Sequence, residues 1–393
     1  MIRVMHVITT LGPAGAENML CEIAGGMDGA KFQNDVVSLT GILDLAERMQ
    51  AIGVRVRSLG MKAAMPNPLL VVRLARWMRE AKPDVVHTWM YHANLVGGLA
   101  ARLAGGLPVV WGIHHSTLDP RVDKRLTFFV NRACAFLSRR LPARILCCSE
   151  ASLRIHKRLA YAAEKLEVIP NGFDLEKAKP DPRARLSVRG ELGLPTDSPL
   201  IAMAARFHPQ KDHRNFVRAA ARFKRQVPKV HFVLCGFNVT WENPELSEWI
   251  DEAGMRDSFH LLGMRKDVPR LFAAVDIVTT SSISGEAFPI VIGEAMACGT
   301  PCVVTNVGDS ALIVGDTGEV VAPGDPGALA QGWRRLIEAG PDSRRRLGTA
   351  ARRRVEEHFA LPAIVERYQA VYEGLASKSL RSVARPRFSQ CAG

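Results

Sequence analysis

The sequence contains no long hydrophobic run. Charged residues such as Arg73, Arg76 and Arg132 interrupt each apolar stretch before it reaches the ~18 residues that a membrane-spanning helix needs. We therefore do not expect an integral membrane protein. The 393 residues are 47% hydrophobic and 23% charged, which is typical of a folded chain with a sizeable core and not of a disordered or fibrous one.

Acidic and aromatic residues are both few. Asp and Glu number 39 against 52 Lys and Arg, the formal net charge is +13, and aromatic residues make up 6%. The positive charge admits nucleic acid, anionic lipid and phosphorylated substrates as partners, or reflects Arg side chains that simply solvate helices. Because few aromatic side chains can stack on bases and no nucleic-acid-binding motif occurs, we expect no nucleic-acid partner.

The eight cysteines lack the spacing of metal or disulfide sites. We therefore expect reduced, buried thiols and no metal site. The apolar run at the N-terminus ends after a few residues in a Gly-rich turn, which favours a buried first strand over a signal peptide. The expected location is cytoplasmic.

Short β-branched runs alternate with amphipathic stretches along the chain, which predicts mostly parallel sheets with helices on both faces. Turn residues at 169–174 and a polar stretch at 177–185 mark the best domain boundary. The predicted fold class is α/β, with two doubly wound, Rossmann-like domains facing a cleft. The predicted strands are residues 4–8, 35–38, 54–58, 85–87, 109–113, 145–148, 168–170, 200–204, 231–235, 259–261, 277–280, 302–305 and 319–321. The clearest predicted helices are residues 16–25, 69–80, 95–103, 124–138, 151–161, 211–226, 289–297, 326–338, 343–359 and 361–375.

The stretch from residue 281 to 301 is the most informative. Pro289 favours the first position of a helix that Gly299 ends. Glu286 therefore lies on the loop just before that helix, and Glu294 lies about two turns below Glu286 on roughly the same side. Two such carboxylates can accept hydrogen bonds from the hydroxyls of one polyol, and the N–H groups of residues 287–290 can meet an anion or a sugar hydroxyl. The alternative is a capping carboxylate and a solvated helix Glu, but the apolar residues around Glu294 make an unpaired charge costly.

Arg206 and Lys211 follow the predicted strand at 200–204. At the carboxyl end of a parallel strand these cations can converge on a diphosphate and neutralise charge on a leaving group without a metal. They are otherwise two ordinary surface cations.

In the first domain, Gly12 and Gly15 let a ligand approach the loop after the first strand, although the loop is neither a Walker loop nor a complete dinucleotide fingerprint. His114 and His115 end the strand at 109–113, where a doubly wound fold presents ligand groups. Either His has a structural role as its alternative. Further residues that follow the neighbouring strand and could line the same cleft are Trp89, Tyr91, His92 and Asn94.

Four motifs together resemble glycosyltransferase family 4. They are the acidic pair with seven residues between its members, Arg-x4-Lys at 206–211, Val-Ile-Pro-Asn-Gly-Phe-Asp at 168–174, and Gly-Ala-Glu at 15–17. The resemblance covers about residues 2–375 and implies a retaining, nucleotide-sugar-dependent enzyme of the GT-B fold. Residues 88–95 and 111–116 resemble a branch that makes bacterial surface polysaccharides.

The resemblance implies a role for each matching residue. Glu294 should hold the ribose hydroxyls, Glu286 and the backbone after it the donor sugar, and Arg206 with Lys211 the diphosphate. The implied donor-binding residues are Gly15, Arg206, Lys211, Met264, Arg265, Glu286, Ala287, Phe288, Pro289, Ile290 and Glu294, with Met264 and Arg265 at the base. The implied catalytic residues are Arg206, Lys211, Glu286 and one of His114 and His115, of which His115 is slightly preferred. The acceptor-side candidates are Trp89, Tyr91, His92 and Asn94. The sequence departs from the family at 236–239, where Gly-Phe-Asn-Val replaces the usual Gly-x-Gly.

The implied activity is retaining transfer of a sugar from a nucleotide-diphosphate donor, UDP rather than GDP, to a hydroxyl of a glycan or lipid-linked acceptor. The expected pathway is cell-surface polysaccharide or lipopolysaccharide biosynthesis, without metal or cofactor. The alternatives are a GT-B sugar-nucleotide epimerase and, from another class, a basic nucleic-acid-binding protein.

The expected domains are an acceptor-side domain at 1–174, a nucleotide-sugar-binding domain at 175–360, a helix at 361–377 that packs back towards the first domain, and a disordered basic tail at 378–393. The basic region at 121–158 is expected to rest on the anionic inner face of the cytoplasmic membrane.

Overall fold

The computed structural model describes residues 1–12, 14–41, 45–61, 68–116 and 125–383, of which 378–383 are described by their backbone only. These residues form two compact units. Unit 1 contains the chain up to Gly172 together with the residues from Leu361 onward, and unit 2 is Phe173–Ala360.

Unit 1 alternates strands with helices. Its strands are β1 (Ile2–Ile8), β2 (Phe32–Ser38), β3 (Arg55–Ser58), β4 (Val85–Trp89), β5 (Val109–Ile113), β6 (Arg144–Cys147) and β7 (Leu166–Val168), and its helices are α1 (Gly15–Gly26), α2 (Leu45–Ala51), α3 (Pro68–Ala81), α4 (Tyr91–Leu103), α5 (Arg125–Leu137), α6 (Glu150–Arg158) and α15 (Leu361–Val383). Across the described residues the seven strands pair in parallel in the order β3-β2-β1-β4-β5-β6-β7. Every residue of β4 and β5 is buried, because helices cover both faces of the sheet.

Unit 2 repeats this architecture. Its strands are β8 (Leu200–Ala204), β9 (His231–Cys235), β10 (Phe259–Leu261), β11 (Ile277–Thr280), β12 (Cys302–Thr305) and β13 (Glu319–Val321), and its helices are α7 (Ala184–Glu191), α8 (His213–Lys224), α9 (Pro244–Glu252), α10 (Val268–Ala274), α11 (Ile290–Ala297), α12 (Ser310–Val314), α13 (Pro326–Glu338) and α14 (Gly340–His358). The parallel order is β10-β9-β8-β11-β12-β13. The prediction of two doubly wound α/β domains is confirmed.

Each sheet reverses its strand order once. In unit 1 the reversal lies between β1 and β4, which pair in parallel, and in unit 2 it lies between β8 and β11. Connections from the two central strands leave in opposite directions at such a point, so a crevice opens at the carboxyl ends of the strands. In unit 2 this crevice is flanked by the loops that follow β8 and β11.

The C-terminal helix packs on unit 1. Its apolar residues Ile364, Val365 and Tyr368 belong to the same buried cluster as residues of α1 and β1. The helix continues to Val383, so the expected disordered tail is wrong for 378–383. Lys378, Leu380 and Arg381 are good helix formers, and extending an existing helix costs less than starting a new one. Residues 384–393 lie outside the described residues.

No helix among the described residues is both long enough and apolar enough to cross a membrane.

Candidate active site

The site predicted in unit 2 assembles at the reversal of the sheet. Lys211 lies on the connection from β8 to α8, and Glu286 on the connection from β11 to α11. The two are far apart in sequence, yet the Lys211 ammonium donates a hydrogen bond to Oε1 of Glu286. Their side chains are 26% and 12% exposed, so the ion pair is partly screened from water and still open to a ligand.

Serine hydroxyls fix both members of this pair. Ser282 Oγ donates to Oε1 of Glu286 at 2.7 Å. Ser281 Oγ donates to the main-chain oxygen of Lys211 at 2.7 Å, which ties the β8 loop to the end of β11. Sequence reasoning assigned neither serine a role; the signal was a pair of hydroxyl residues directly after a buried strand.

A left-handed residue turns the β8 loop into its helix. The residues 209–211 form a 3₁₀ turn, so α8 starts at His213 and not at 211 as predicted. Asp212 has φ +47° and its carboxylate accepts from the N–H of Asn215 at 3.1 Å, a local side-chain bond that lets Asp adopt this conformation. Lys211 therefore lies at the end of a 3₁₀ turn just before α8, and not within a regular α-helix.

Arg206 lies on the same loop but points to solvent. Its residue is exposed, and among the described residues it makes no ion pair. The backbone beside it is crowded, since a Cβ on Gly236 would stand 2.2 Å from the main-chain oxygen of Ala205. The structure thus places Arg206 and Lys211 at one strand end, with only Lys211 engaged by a carboxylate.

Pro289 is the N-cap of α11, with ψ 106°, and not the first helical residue as predicted; the helix begins one residue later. The Phe288 side chain is buried and its ring stacks on Phe173 at 6.1 Å, so Phe288 can meet a ligand only through its backbone. Ala287 is also buried, and Ile290 opens the helix. The first N–H groups of α11 lack acceptors within the helix.

Glu294 is the fifth residue of α11, a little over one turn from its start, and is half-buried. Glu286 and Glu294 are both partly accessible, and their position on the same side of the site stays a prediction. The backbones of Gly308 and Glu286 pack closely together. Gly308 has φ +63°, and a Cβ on it would lie 2.4 Å from the main-chain oxygen of Glu286. Sequence reasoning also missed Gly308.

The residues implied at the nucleotide base follow β10. Met264 is 66% exposed. The Arg265 guanidinium, by contrast, pairs with Asp267 at 2.7 Å and with Glu191, and these partners raise the pKa of Arg265 further above its usual range. Arg265 is therefore held by carboxylates of unit 2, which leaves its backbone for a base.

In unit 1, Gly15 is the exposed first residue of α1. The His114 ring stacks on Trp89 at 5.0 Å, and burial with the neighbouring His115 lowers the pKa of His114 to about 4. His115 is half-buried, and its Nδ1 has no hydrogen-bond partner among the described residues. Which of the two faces a donor stays a prediction.

Three of the acceptor-side candidates are buried. Trp89 and Asn94 have no exposed surface and Tyr91 has 3%. The Trp89 N–H donates to His6 at 3.3 Å, Asn94 donates to the Gly112 oxygen at 3.2 Å, and Tyr91 hydrogen-bonds His156 at 2.7 Å. In this conformation these three side chains pack in the core of unit 1. Residues at a strand end or in the first turn of a helix can face inward as well as outward, and these three face inward. Only His92 is half-exposed.

Among the described residues, no cluster of three or more His, Cys, Asp or Glu side chains is placed to hold a metal ion.

Two family models match the chain in succession. The model described as Glycosyltransferase Family 4 matches residues 13–177, and the model described as Glycosyl transferases group 1 matches residues 185–354. Together with two Rossmann-like units these matches define the class of protein, a glycosyltransferase of the GT-B fold. The chain belongs to glycosyltransferase family 4.

Individual relatives agree with this assignment. The Escherichia coli UDP-Gal:alpha-D-GlcNAc-diphosphoundecaprenol alpha-1,3-galactosyltransferase is 28% identical over 279 residues, which are 70% of each chain. The putative glycosyltransferase EpsF of Bacillus subtilis is 28% identical over 318 residues, 77% of this chain and 79% of its own. The crystal structure of Anabaena HepE in complex with UDP and glucose shares the fold, with a TM-score of 0.82, 23% identity, and coverage of 95% of this chain and 100% of that one.

Proposed function

We propose that this glycosyltransferase moves a sugar from a UDP-sugar to a hydroxyl of a lipid-linked or glycan acceptor, with retention at the anomeric carbon, in the synthesis of a surface polysaccharide. The observation that carries the proposal is the pairing of Lys211 with Glu286 at the reversal of the unit 2 sheet. A cation for a diphosphate and a carboxylate for sugar hydroxyls stand side by side there. The E. coli relative, named for UDP-Gal and a diphosphoundecaprenol-linked sugar, supports the donor and acceptor classes.

The chemistry depends on charge that develops on the leaving group. As the bond between the anomeric carbon and the phosphate oxygen breaks, UDP gains negative charge. Lys211 and the first N–H groups of α11 are held in place before the reaction, so they stabilise this charge more in the transition state than in the ground state. Arg206, which is exposed on the same loop as Lys211, adds a second cation near the leaving diphosphate. The protein's own cations fill this role in the proposal, with no divalent ion required.

Retention follows if the acceptor attacks from the side on which UDP leaves. The acceptor oxygen forms its bond to the anomeric carbon, and its proton passes to the departing phosphate oxygen. Glu286 is not assigned as a nucleophile, because the departing phosphate oxygen takes the acceptor's proton on the same side and this step needs no covalent intermediate. Its role is to orient sugar hydroxyls, while Glu294 holds the ribose.

Nucleotide binding tests the site directly. Isothermal titration with UDP, GDP and ADP in the presence of EDTA should give binding for UDP, and Glu294→Ala should abolish it. Glu252→Ala, at an exposed position of α9, is the matched control and should bind like the wild type. If none of the three nucleotides binds, the proposed donor site is refuted.

Product analysis separates the two enzyme candidates. With UDP-glucose or UDP-galactose and a synthetic prenyl-diphosphate-linked GlcNAc, the transferase releases UDP only when the acceptor is present, and NMR of the new linkage should show the donor's anomeric configuration. An epimerised nucleotide sugar formed without acceptor would favour the epimerase instead.

A cationic surface on unit 1 supports a membrane-bound acceptor. Phe129 and Phe136 are 72% and 76% exposed and lie two turns apart on α5, with Arg132 between them on the same face. Next to them is a groove of about 790 Å³, lined by Phe128, Asn131, Arg132, Ala135, Phe136, Arg139, Arg140, Arg158, Leu159 and Ala160. Residues 121–124 of the basic region lie outside the described residues.

We extend the proposal to peripheral binding of this surface to anionic lipid. Exposed aromatic side chains insert at the headgroup boundary, and the Arg side chains attract anionic lipid within a Debye length. The protein should sediment with phosphatidylglycerol vesicles at low salt, less at high salt, and not with phosphatidylcholine vesicles. Phe129→Ser with Phe136→Ser should weaken the binding, whereas Leu186→Ser, at an exposed position of unit 2, should not. No sedimentation at low salt would contradict this surface.

A further inference from the structure

Two large apolar side chains are exposed where the neighbouring strands β9 and β10 of unit 2 end. Phe237 comes just after β9 and is 68% exposed, and Met264 comes just after β10 and is 66% exposed. β9 and β10 are parallel neighbours, so their carboxyl ends meet at the same edge, about 4.8 Å apart.

The backbone beneath Phe237 is fixed by the fold. Gly236 donates its N–H to the Gly263 oxygen at 2.8 Å, and Phe207 donates to the Phe237 oxygen at 2.8 Å. Gly236 adopts φ +145° and leaves no room for a Cβ against Ala205. The aromatic ring is thus exposed on a loop whose backbone is tied to the loops after β8 and β10.

The loops along this edge follow a chemical order. From β10 through β9 and β8 to β11, they present Met264, Phe237, Arg206 and Glu286. Apolar surface is followed by a cation and then by a carboxylate. A nucleoside diphosphate sugar carries its flat base, its diphosphate and its polyol in the same order.

We propose that Phe237 stacks on the nucleobase of the donor and so forms, next to the base position that the family resemblance implies for Met264, the base platform of this enzyme. The inference rests on the proposed function and names a contact for its base end. A solitary exposed aromatic residue needs no ligand to explain it. Here two exposed apolar residues lie on neighbouring loops at the carboxyl edge of the sheet, and the backbone of Phe237 is fixed. An aromatic ring in this position can stack on the π-face of a base.

Titrations with UDP and with inorganic pyrophosphate test the inference. Phe237→Ala should weaken UDP binding by about tenfold to a hundredfold, because stacking is lost, and should leave pyrophosphate affinity unchanged. Phe237→Trp should keep UDP binding, since the larger ring still stacks. Leu186→Ala, which removes an equally exposed apolar side chain from α7, is the control and should bind UDP like the wild type.

The outcomes separate the inference from the function on which it rests. If the wild type binds UDP and Phe237→Ala binds it equally well, the base platform is refuted and the proposed function stands. If Phe237→Ala loses pyrophosphate in the same proportion, the residue shapes the loop and does not stack, which also overturns the inference. If the wild type binds no UDP, both fail. Circular dichroism melts of each variant establish that unit 2 is folded.

Discussion

Replacing Lys211 by Met removes one charge from the proposed diphosphate site and keeps most of the side-chain volume. The ammonium has three N–H donors, and the structure uses one of them on Glu286, so others can point to a phosphate oxygen. A charge-assisted hydrogen bond of this kind contributes about 1.5–3 kcal/mol. The expected result is a roughly 10- to 150-fold weaker Kd for UDP.

Glu286→Gln should act in the opposite direction. The carboxylate beside Lys211 repels a diphosphate, so its neutralisation should leave UDP affinity unchanged or raise it. The sugar hydroxyls lose their charged acceptor, and affinity for UDP-glucose or UDP-galactose relative to UDP should therefore fall. The opposite signs distinguish a ligand site from a structural ion pair, which either substitution would simply break.

Isothermal titration with UDP, at several salt concentrations, measures both effects. Lys229→Met is the matched control, because Lys229 is exposed just before β9, at the opposite edge of the same sheet. It should change UDP affinity little. Equal UDP affinity in Lys211→Met and the wild type, or an equal loss in Lys211→Met and Glu286→Gln, would refute the assignment of the pair to the diphosphate and the sugar.

Three further predictions concern stability. Gly293→Ala should destabilise unit 2 by about 1–3 kcal/mol, because a Cβ there would lie 2.0 Å from the buried Phe173 ring; urea denaturation measures it. Arg189→Met should destabilise unit 2 by about 1.5–3 kcal/mol in the same assay, since Arg189 hydrogen-bonds the buried Asp276 carboxylate at 2.9 Å, while Asp276 keeps Arg185 at 3.1 Å. Burial lowers the pKa of His6 to about 4, below the 6.5 of an unfolded His. The unfolded chain therefore binds the extra proton, and the stability that His6 contributes above pH 6.5 should be lost as pH falls towards 4.

Each of these stability predictions has a control variant or a result that would contradict it. Gly190→Ala places a Cβ on helix α7 with no atom within 4 Å and should not destabilise; equal losses at Gly190 and Gly293 would contradict the steric argument. Unchanged stability of Arg189→Met would show that the Asp276 carboxylate does not need that partner. His6→Asn should flatten the fall in melting temperature between pH 6.5 and 4, and an identical slope would rule His6 out as its cause.

Much of the fold could be predicted from the alternation of apolar runs with amphipathic stretches. The six predicted strands of unit 2 are confirmed by β8 to β13 at the same residues, because β-branched runs bounded by turns are strong signals. The short helices α2, α7, α9, α10 and α12 were missed. With five to nine residues each, they have too few turns for a clear periodicity.

The candidate site was predictable in its residue types but not in its contacts. Arg206, Lys211 and Glu286 follow strand ends, and Glu294 lies on the helix after Glu286, which the sequence shows. That Trp89 and its neighbours turn into the core of unit 1 does not follow from their position after a strand, because both inward and outward side chains occur there. Burial decides between the two, and burial is a property of packing.

The sequence by itself determined that this chain forms two α/β units and that cations and carboxylates stand at the ends of their strands. These features are local, since they depend on runs and turns of a few residues. Only the tertiary structure decided that β8 pairs with β11, and this brings Lys211 to Glu286 across 75 positions of the chain. Strand order is set by how whole helices and strands pack together, and no local pattern contains that information.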